Sequence, residues 1–300
     1  MRFSLLHIQG SFGATLPEQL SLMLQLSRGR LSALVALSGL TGYLFALHRW
    51  DPQALQTGVA ILLLSAGCSA LNQWQEREID ARMERTRLRP LPTGRLSPRQ
   101  VLTLALLMLS AGLLLLALLP SWSPLLLGAL AIFWYNGVYT GLKRVTAYAV
   151  LPGALCGSLP PLIGWCAAGG EPTAFPAVVL AGTLFLWQMP HFWLLACCHR
   201  DDHRQSGLPN LFRQFDHQRL FRINNCWLLA LGISYLLFPL FGLLRGATLG
   251  YLYLIALSGL ILAVYSELHK GACSVSHRKL FNMINCSMLL LLATLLIDSL

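Results

Sequence analysis

Nine long apolar stretches divide this chain, and they restrict its fold more than any other feature. Each contains about 20 mostly apolar residues, the length that an α-helix needs to cross the hydrocarbon core of a bilayer. Only 11% of the residues are charged, against roughly 25% in an ordinary soluble domain. The sequence therefore predicts an all-α, polytopic membrane protein, a bundle of nine transmembrane helices. The predicted spans are 29–48, 54–74, 100–119, 123–142, 147–168, 174–197, 223–243, 247–267 and 280–299.

The basic residues fall almost entirely on one side of these spans. Of the 22 Lys and Arg residues, 20 lie on the side of the N-terminus, and only Arg49 and Arg245 lie on the other. Cytoplasmic loops carry such an excess, so the pattern predicts a multi-pass protein of the bacterial cytoplasmic (inner) membrane with a cytoplasmic N-terminus and an external C-terminus. The net charge of +10 is thereby explained by topology, and no nucleic-acid partner is expected. We expect residues 1–28 to form a cytoplasmic or interfacial segment and 29–300 to form one nine-helix domain.

An acidic stripe at the end of the second span is the strongest candidate for chemistry. Asn72, Glu76 and Asp80 recur every fourth residue, so in a helix their side chains lie along one face. Carboxylate and amide oxygens suit Mg²⁺, which proteins usually hold through one or two carboxylates together with substrate phosphates. The spacing predicts a metal and diphosphate site.

Basic residues near this stripe allow two interpretations. Arg85, Arg87 and Arg89 follow the acids, and Lys143 with Arg144 closes the fourth span. Such charges could simply anchor loops at an anionic membrane surface. They could also neutralise the oxygens of a leaving diphosphate. The regular spacing of the acids favours the second interpretation, because an electrostatic anchor has no need of a helical stripe.

Two further polar positions stand out later in the chain. His191 lies inside the sixth span after Pro190, and an ionisable residue within a membrane is a functional candidate, although an interhelical hydrogen bond would also explain it. Asp201 and Asp202 follow that span. Adjacent residues point to different sides of a helix, so at most one aspartate is expected to face the bundle, and we assign that place to Asp202.

One segment resembles the signature of the UbiA superfamily of intramembrane prenyltransferases. In this segment three residues separate Asn72 from an acid, three more separate that acid from Asp80, and the sequence MERTRLRP follows. Four other segments are similar to the branch of that superfamily that farnesylates haem: YTGLKRVT at 139–146, PPLIGW at 160–165, WQMPHFW at 187–193 and DDHRQSGLP at 201–209. Glu76 departs from the pattern, because the superfamily more often has Asp there.

The resemblance implies a nine-helix bundle with a central cavity that opens to the cytoplasmic side. There a farnesyl group would pass from farnesyl diphosphate to a vinyl group of haem B, giving haem O with Mg²⁺ assistance. Haem B would be a substrate and not a cofactor, and haem A synthase or terminal-oxidase assembly factors would be partners. Carried over by position, the metal and diphosphate motifs are Asn72, Glu76, Asp80 and Asp202, and the substrate-binding residues are Arg85, Arg89, Lys143, Arg144 and His191.

Two other functions compete with this interpretation. A UbiA-type enzyme that prenylates an aromatic quinone precursor would give His191 no special task. A transporter or assembly scaffold would place polar residues near the middle of the membrane, whereas the charges here cluster at its rim. Five aromatic residues are candidates to shield a prenyl cation through their ring faces, with packing or interface anchoring as the alternative: Trp134, Tyr135, Trp165, Phe192 and Trp193.

Overall fold

The computed structural model describes residues 16–199, 209, 214–272 and 274–300, and the regular structure of these residues is entirely helical. A short helix, α1, covers Leu16–Leu26. The longer helices are α2 Gly29–Leu47, α3 Pro52–Asp80, α4 Pro98–Ala117, α5 Ser123–Leu142, α6 Val150–Ala167, α7 Phe175–Cys198, α8 His217–Leu240, α9 Ala247–Leu268 and α10 His277–Ser299.

Within the described part of the chain, nine helices are long and apolar enough to cross a membrane. The prediction of an all-α, polytopic membrane protein with nine spans is therefore confirmed. Helix α3 continues six residues beyond its predicted end to Asp80. Its 29 residues reach about 44 Å at 1.5 Å per residue, which exceeds the roughly 30 Å hydrocarbon core. The polar end of α3 thus extends past the apolar layer.

Local hydrogen bonds fix both ends of this long helix and the start of the next. Asp51 directly precedes Pro52, the first helical residue, and its side chain accepts a hydrogen bond from the Ala54 amide. At the other end the Thr86 hydroxyl donates to the Asp80 carbonyl (2.9 Å), which satisfies one of the carbonyls that a helix end leaves without a partner. Ser97 and Gln100 then form a capping box that starts α4. The loop that carries the Arg residues is therefore anchored at both ends.

Small residues allow α2 and α6 to pack backbone against backbone. A side chain at Gly164 would meet the Gly39 carbonyl of α2, and one at Gly42 would meet Pro161 of α6. Such close approach is typical of helix interfaces in membranes. Helix α2 also packs against α3 and α10, and α7 packs against α6, α8 and α10. The contact of the last helix with α2 closes the bundle.

The N-terminal segment is tied to this bundle. Leu26 of α1 is fully buried in a cluster with Ala70, Leu91 and Val101. The opposite side of α1 exposes Leu16, Leu20 and Leu24, which lie on one helical face. The division into a segment 1–28 and a domain 29–300 stays a prediction.

Candidate active site

The stripe on α3 is buried although it lies at the polar end of the helix. Asn72, Glu76 and Asp80 have relative exposures of 1%, 3% and 3%, and all three line one cavity. Buried carboxylates are costly unless they are paired. Each of these two acids has a basic partner from another part of the chain.

Glu76 is paired with Lys143 at the end of α5. Lys143 Nζ lies 2.6 Å from Glu76 Oε1 and 2.6 Å from Oε2. The ammonium donates its hydrogen bond to Oε2. Among the described residues, the buried Oε1 accepts no hydrogen bond. Burial lowers the pKa of the Lys143 ammonium, and the Glu76 charge partly offsets this effect. The lysine is thus a poorly solvated cation held beside a poorly solvated carboxylate.

Asp80 is paired with Arg89 from the loop after α3. Arg89 Nη1 donates to Asp80 Oδ2 at 2.6 Å, with the two side chains 16% and 4% exposed. Burial and the nearby Arg28 lower the pKa of Arg89, while Asp80 acts in the opposite direction. A charge-assisted bond of this length is strong, so it holds the arginine over the cavity.

A π-helical stretch in α5 brings that helix onto the acidic stripe. Residues Phe133–Tyr139 form a π-helix, and the Thr140 hydroxyl donates to the Tyr135 carbonyl five residues earlier. Thr140 also accepts a hydrogen bond from Asn72 Nδ2 (3.2 Å). Irregular turns of this kind are frequent at functional sites. Here the turn places Tyr135, Tyr139 and Lys143 on the cavity wall.

Arg28 is a site residue that the sequence analysis did not identify. It precedes α2 in a left-handed conformation (φ 48°), lines the cavity and donates from Nη2 to Asn72 Oδ1 at 3.4 Å. Its buried Nε has no hydrogen-bond partner within the described ranges of the chain. The available signal is an arginine directly before the first span, which the charge pattern alone explains as a determinant of topology.

The cavity has a volume of about 660 Å³ and two chemically different sides. The side formed by α2, α3, α5 and the Arg loop carries the charged groups described above, together with Arg85. The other side comes from α7, α8 and α10 and is mostly apolar. Its polar members include His191, His217, Asn224 and His277, beside Phe192, Trp193, Phe221 and Leu280.

His191 is held by side chains of two helices. Its Nδ1 lies 2.8 Å from Asn285 Oδ1 on α10. The ring packs against Trp187 and Phe281, with centroid distances of 4.5 and 4.8 Å. The structure therefore places this predicted residue on the cavity wall in a fixed orientation.

Two buried polar atoms on the same side have no hydrogen-bond partner among the residues that the structure describes. They are Asn224 Oδ1 and Trp193 Nε1, and both residues line the cavity. Buried polar groups are normally satisfied. These atoms are suited to a ligand with hydrogen-bonding groups.

Some predicted residues lie elsewhere. Arg144 is not among the residues that line the cavity, and its Nη2 donates to the Gln75 carbonyl of α3 (2.7 Å). Asp202 lies outside the described residues. Of the five aromatic candidates, Tyr135, Phe192 and Trp193 line the cavity, whereas Trp134 bonds to the Pro152 carbonyl and Trp165 to the Glu171 carbonyl.

The donor atoms suit a hard cation with an incomplete protein shell. Among the residues that the structure describes, no three His, Cys, Asp or Glu side chains are grouped as a metal cage. The α3 stripe offers two carboxylates and one amide, and in the described part of the chain Glu76 Oε1 accepts no hydrogen bond, although it lies 2.6 Å from Lys143 Nζ. Mg²⁺ binds through such a small oxygen set when phosphates and water complete its shell. The residues present therefore fit Mg²⁺.

The sequence from residue 34 to residue 291 matches the model of the UbiA prenyltransferase family. This match covers most of the chain, including the α3 stripe and His191. The chain belongs to the UbiA prenyltransferase family. The chain is accordingly a prenyltransferase.

Relatives within the UbiA family have similar sequences over most of their length. A protein from Geobacter sulfurreducens named protoheme IX farnesyltransferase is 47% identical over 231 residues, which cover 74% of this chain and 82% of that one. A protein of the same name from Oleidesulfovibrio alaskensis is 35% identical over 275 residues and covers 92% of this chain and 95% of its own.

The fold also matches a solved UbiA structure. A UbiA homologue from Archaeoglobus fulgidus, bound to GPP and Mg²⁺, superimposes with a TM-score of 0.70 at 17% identity, covering 93% of this chain and 99% of that one. At this identity the likeness establishes the fold.

Proposed function

We propose that this protein transfers a farnesyl group from farnesyl diphosphate to a vinyl group of haem B, producing haem O. The observation that carries the proposal is a single cavity that joins a buried acid and base cluster to an aromatic wall containing His191. The names of the similar proteins from Geobacter sulfurreducens and Oleidesulfovibrio alaskensis support the donor and the acceptor.

The charged side of the cavity would bind the diphosphate. Arg28, Arg85, Arg89 and Lys143 supply cationic donors there, and such groups are the usual partners of phosphate oxygens. Asn72, Glu76, Asp80 and, as a proposed second motif, Asp202 would hold Mg²⁺, which would neutralise charge on the leaving diphosphate. Arg144 is a phosphate ligand by sequence prediction, and in this structure it bonds to the backbone of α3.

The reaction would begin when the C1–O bond of farnesyl diphosphate breaks and its electron pair leaves with the diphosphate. Tyr135, Phe192 and Trp193 line the same cavity, where their ring faces would stabilise the allylic cation by about 2 kcal/mol or more if desolvated. A haem vinyl group would then donate its π electrons to C1. Water would add to the resulting cation and lose a proton, which gives the hydroxyethylfarnesyl group.

The acceptor would occupy the side formed by α7, α8 and α10. This side is apolar enough for a porphyrin and carries His191 as a candidate iron ligand. A quinone precursor would leave His191 without a task and is not favoured by the names of the relatives.

We further propose a bacterial inner-membrane location with the N-terminus in the cytoplasm and the C-terminus outside. The cavity would then open to the cytoplasmic side, where a water-soluble diphosphate product can leave. Haem A synthase or terminal-oxidase assembly factors are the proposed protein partners, because they would receive haem O.

The test is to incubate the protein in lipid nanodiscs with haem B, farnesyl diphosphate and Mg²⁺ and to detect haem O by mass spectrometry. We expect product that disappears with a chelator and returns with added Mg²⁺. The Asp80→Asn variant is the control for uncatalysed product. Prenylation of 4-hydroxybenzoate but not of haem B under the same conditions would contradict the proposal and favour the aromatic acceptor.

A further inference from the structure

The hydrogen bond between His191 and Asn285 determines which imidazole nitrogen can act. Asn285 Oδ1 lies 2.8 Å from His191 Nδ1. A carboxamide oxygen only accepts hydrogen bonds, so this contact is a hydrogen bond only in the tautomer that carries its proton on Nδ1. The lone pair is then on Nε2. The nitrogen that a histidine offers to a metal is set in this way by the bond that its other nitrogen makes.

The surroundings of Asn285 also fix the plane of the ring. Trp187 and Phe281 pack against the imidazole, and Trp187 Nε1 donates to the Ile284 carbonyl (3.0 Å), next to Asn285 in the chain. These contacts tie α7 to α10 at the level of His191. A ring packed against two aromatic side chains and bonded at Nδ1 has little freedom to rotate, and a ligand to iron needs this preorganisation.

We propose that Asn285 is a positioning residue that holds His191 in the Nδ1–H tautomer, so that Nε2 binds the iron of the haem acceptor. This inference rests on the proposed function, because it assumes that haem enters the cavity. Metal-binding histidines usually donate their other N–H to a carbonyl or carboxylate, and loss of that partner costs about 10- to 100-fold in metal affinity. Iron ligation would fix the porphyrin relative to the farnesyl cation.

A simpler role for the pair is to join α7 and α10. In that case the loss of Asn285 would lower stability and leave the iron spectrum of bound haem unchanged. The two roles therefore differ in a spectroscopic signature.

The experiment uses the full-length protein in lipid nanodiscs, titrated with haem B in the absence of farnesyl diphosphate. Affinity is read from the Soret band, and the iron–histidine stretching frequency is read from resonance Raman spectra of the ferrous complex. We expect His191→Ala to lose the iron–histidine band. Asn285→Leu should bind haem about 10- to 100-fold more weakly, and Asn285→Asp should keep the band and raise its frequency, because a carboxylate accepts more strongly from Nδ1.

Asn282→Leu is the matched control, since Asn282 lies on the same helix and is exposed; its affinity and band should equal those of the wild type. An unchanged band in His191→Ala, or wild-type affinity and frequency in Asn285→Leu, would overturn the inference. If Asn285→Leu does not fold, an unchanged frequency in folded Asn285→Asp would overturn it equally.

Product formation by the wild type separates this inference from the proposed function. Haem O production together with an unchanged band in His191→Ala would reject iron ligation alone. An iron–histidine band that depends on His191 and Asn285, with no haem O formed, would support the positioning role and contradict the proposed transfer reaction.

Discussion

Lys143 Nζ lies 2.6 Å from each carboxylate oxygen of Glu76, across the interface between α5 and α3. The lysine follows the π-helical stretch of α5, and the glutamate lies on the part of α3 that extends past the predicted span. Buried ion pairs add little net stability, but removing one partner leaves an uncompensated charge. The π-helical geometry of α5 therefore affects the charge balance of the cavity, because it positions the lysine that compensates Glu76.

Replacing Lys143 with Met should destabilise the protein and weaken diphosphate binding. Loss of one partner of a buried pair costs about 3–5 kcal/mol, so we expect a clearly lower melting temperature and a higher KM for farnesyl diphosphate. Arg87→Met is the control, because Arg87 forms an exposed pair with Glu84, and such pairs contribute at most about 1 kcal/mol. Equal melting temperatures for the two variants would contradict the assigned role.

Asp80→Asn should abolish turnover while the protein stays folded and inserted. The change keeps the shape of the side chain but removes the charge that binds Arg89 and would bind Mg²⁺. Loss of one electrostatic group at a reacting centre typically costs about 100- to 1,000-fold in kcat. Glu78→Gln is the matched control, because the side chain of Glu78 is 78% exposed on the same helix. Near-normal haem O formation by Asp80→Asn would remove Asp80 from the mechanism.

The nine spans and the acidic stripe could be predicted because both are local patterns: apolar length, and a repeat of four residues on one helix. The contacts of the stripe could not, although Arg89 and Lys143 are predicted to lie at the same site. Arg28 reaches Asn72 through a left-handed turn, and Lys143 reaches Glu76 through a π-helix, and neither geometry leaves a composition signal. The resemblance implies that Arg144 binds phosphate together with Lys143, and the structure directs the two side chains differently. Asn285 is separated from His191 by 94 residues, so only the packing of α7 on α10 identifies it.

Arg28→Met should raise the KM for farnesyl diphosphate more than it lowers kcat. Its guanidinium lines the cavity and has a buried Nε without a partner in the described part of the chain, so a phosphate oxygen would complete its hydrogen bonds. A hydrogen bond to a charged group contributes about 1.5–3 kcal/mol, which corresponds to a KM increase of roughly 10- to 100-fold.

Arg30→Met is the matched control for Arg28, because Arg30 is exposed and carries the same charge two residues away. It should leave KM near the wild-type value. Similar KM increases in both variants would indicate a general effect of positive charge at the membrane surface and would contradict direct binding by Arg28.

Gly164→Ala should loosen the contact between α2 and α6 and thereby destabilise the whole bundle. The added methyl group would meet the backbone carbonyl of Gly39, which cannot rotate away as a side chain can. Overpacking of this kind costs about 1–3 kcal/mol, and we expect a lower melting temperature in nanodiscs. Gly182→Ala on α7 is the control, since a methyl group there meets no atom within 4 Å and alanine favours the helix by roughly 0.5–1 kcal/mol. A melting temperature for Gly164→Ala at or above that of Gly182→Ala would show that the two helices have room to separate.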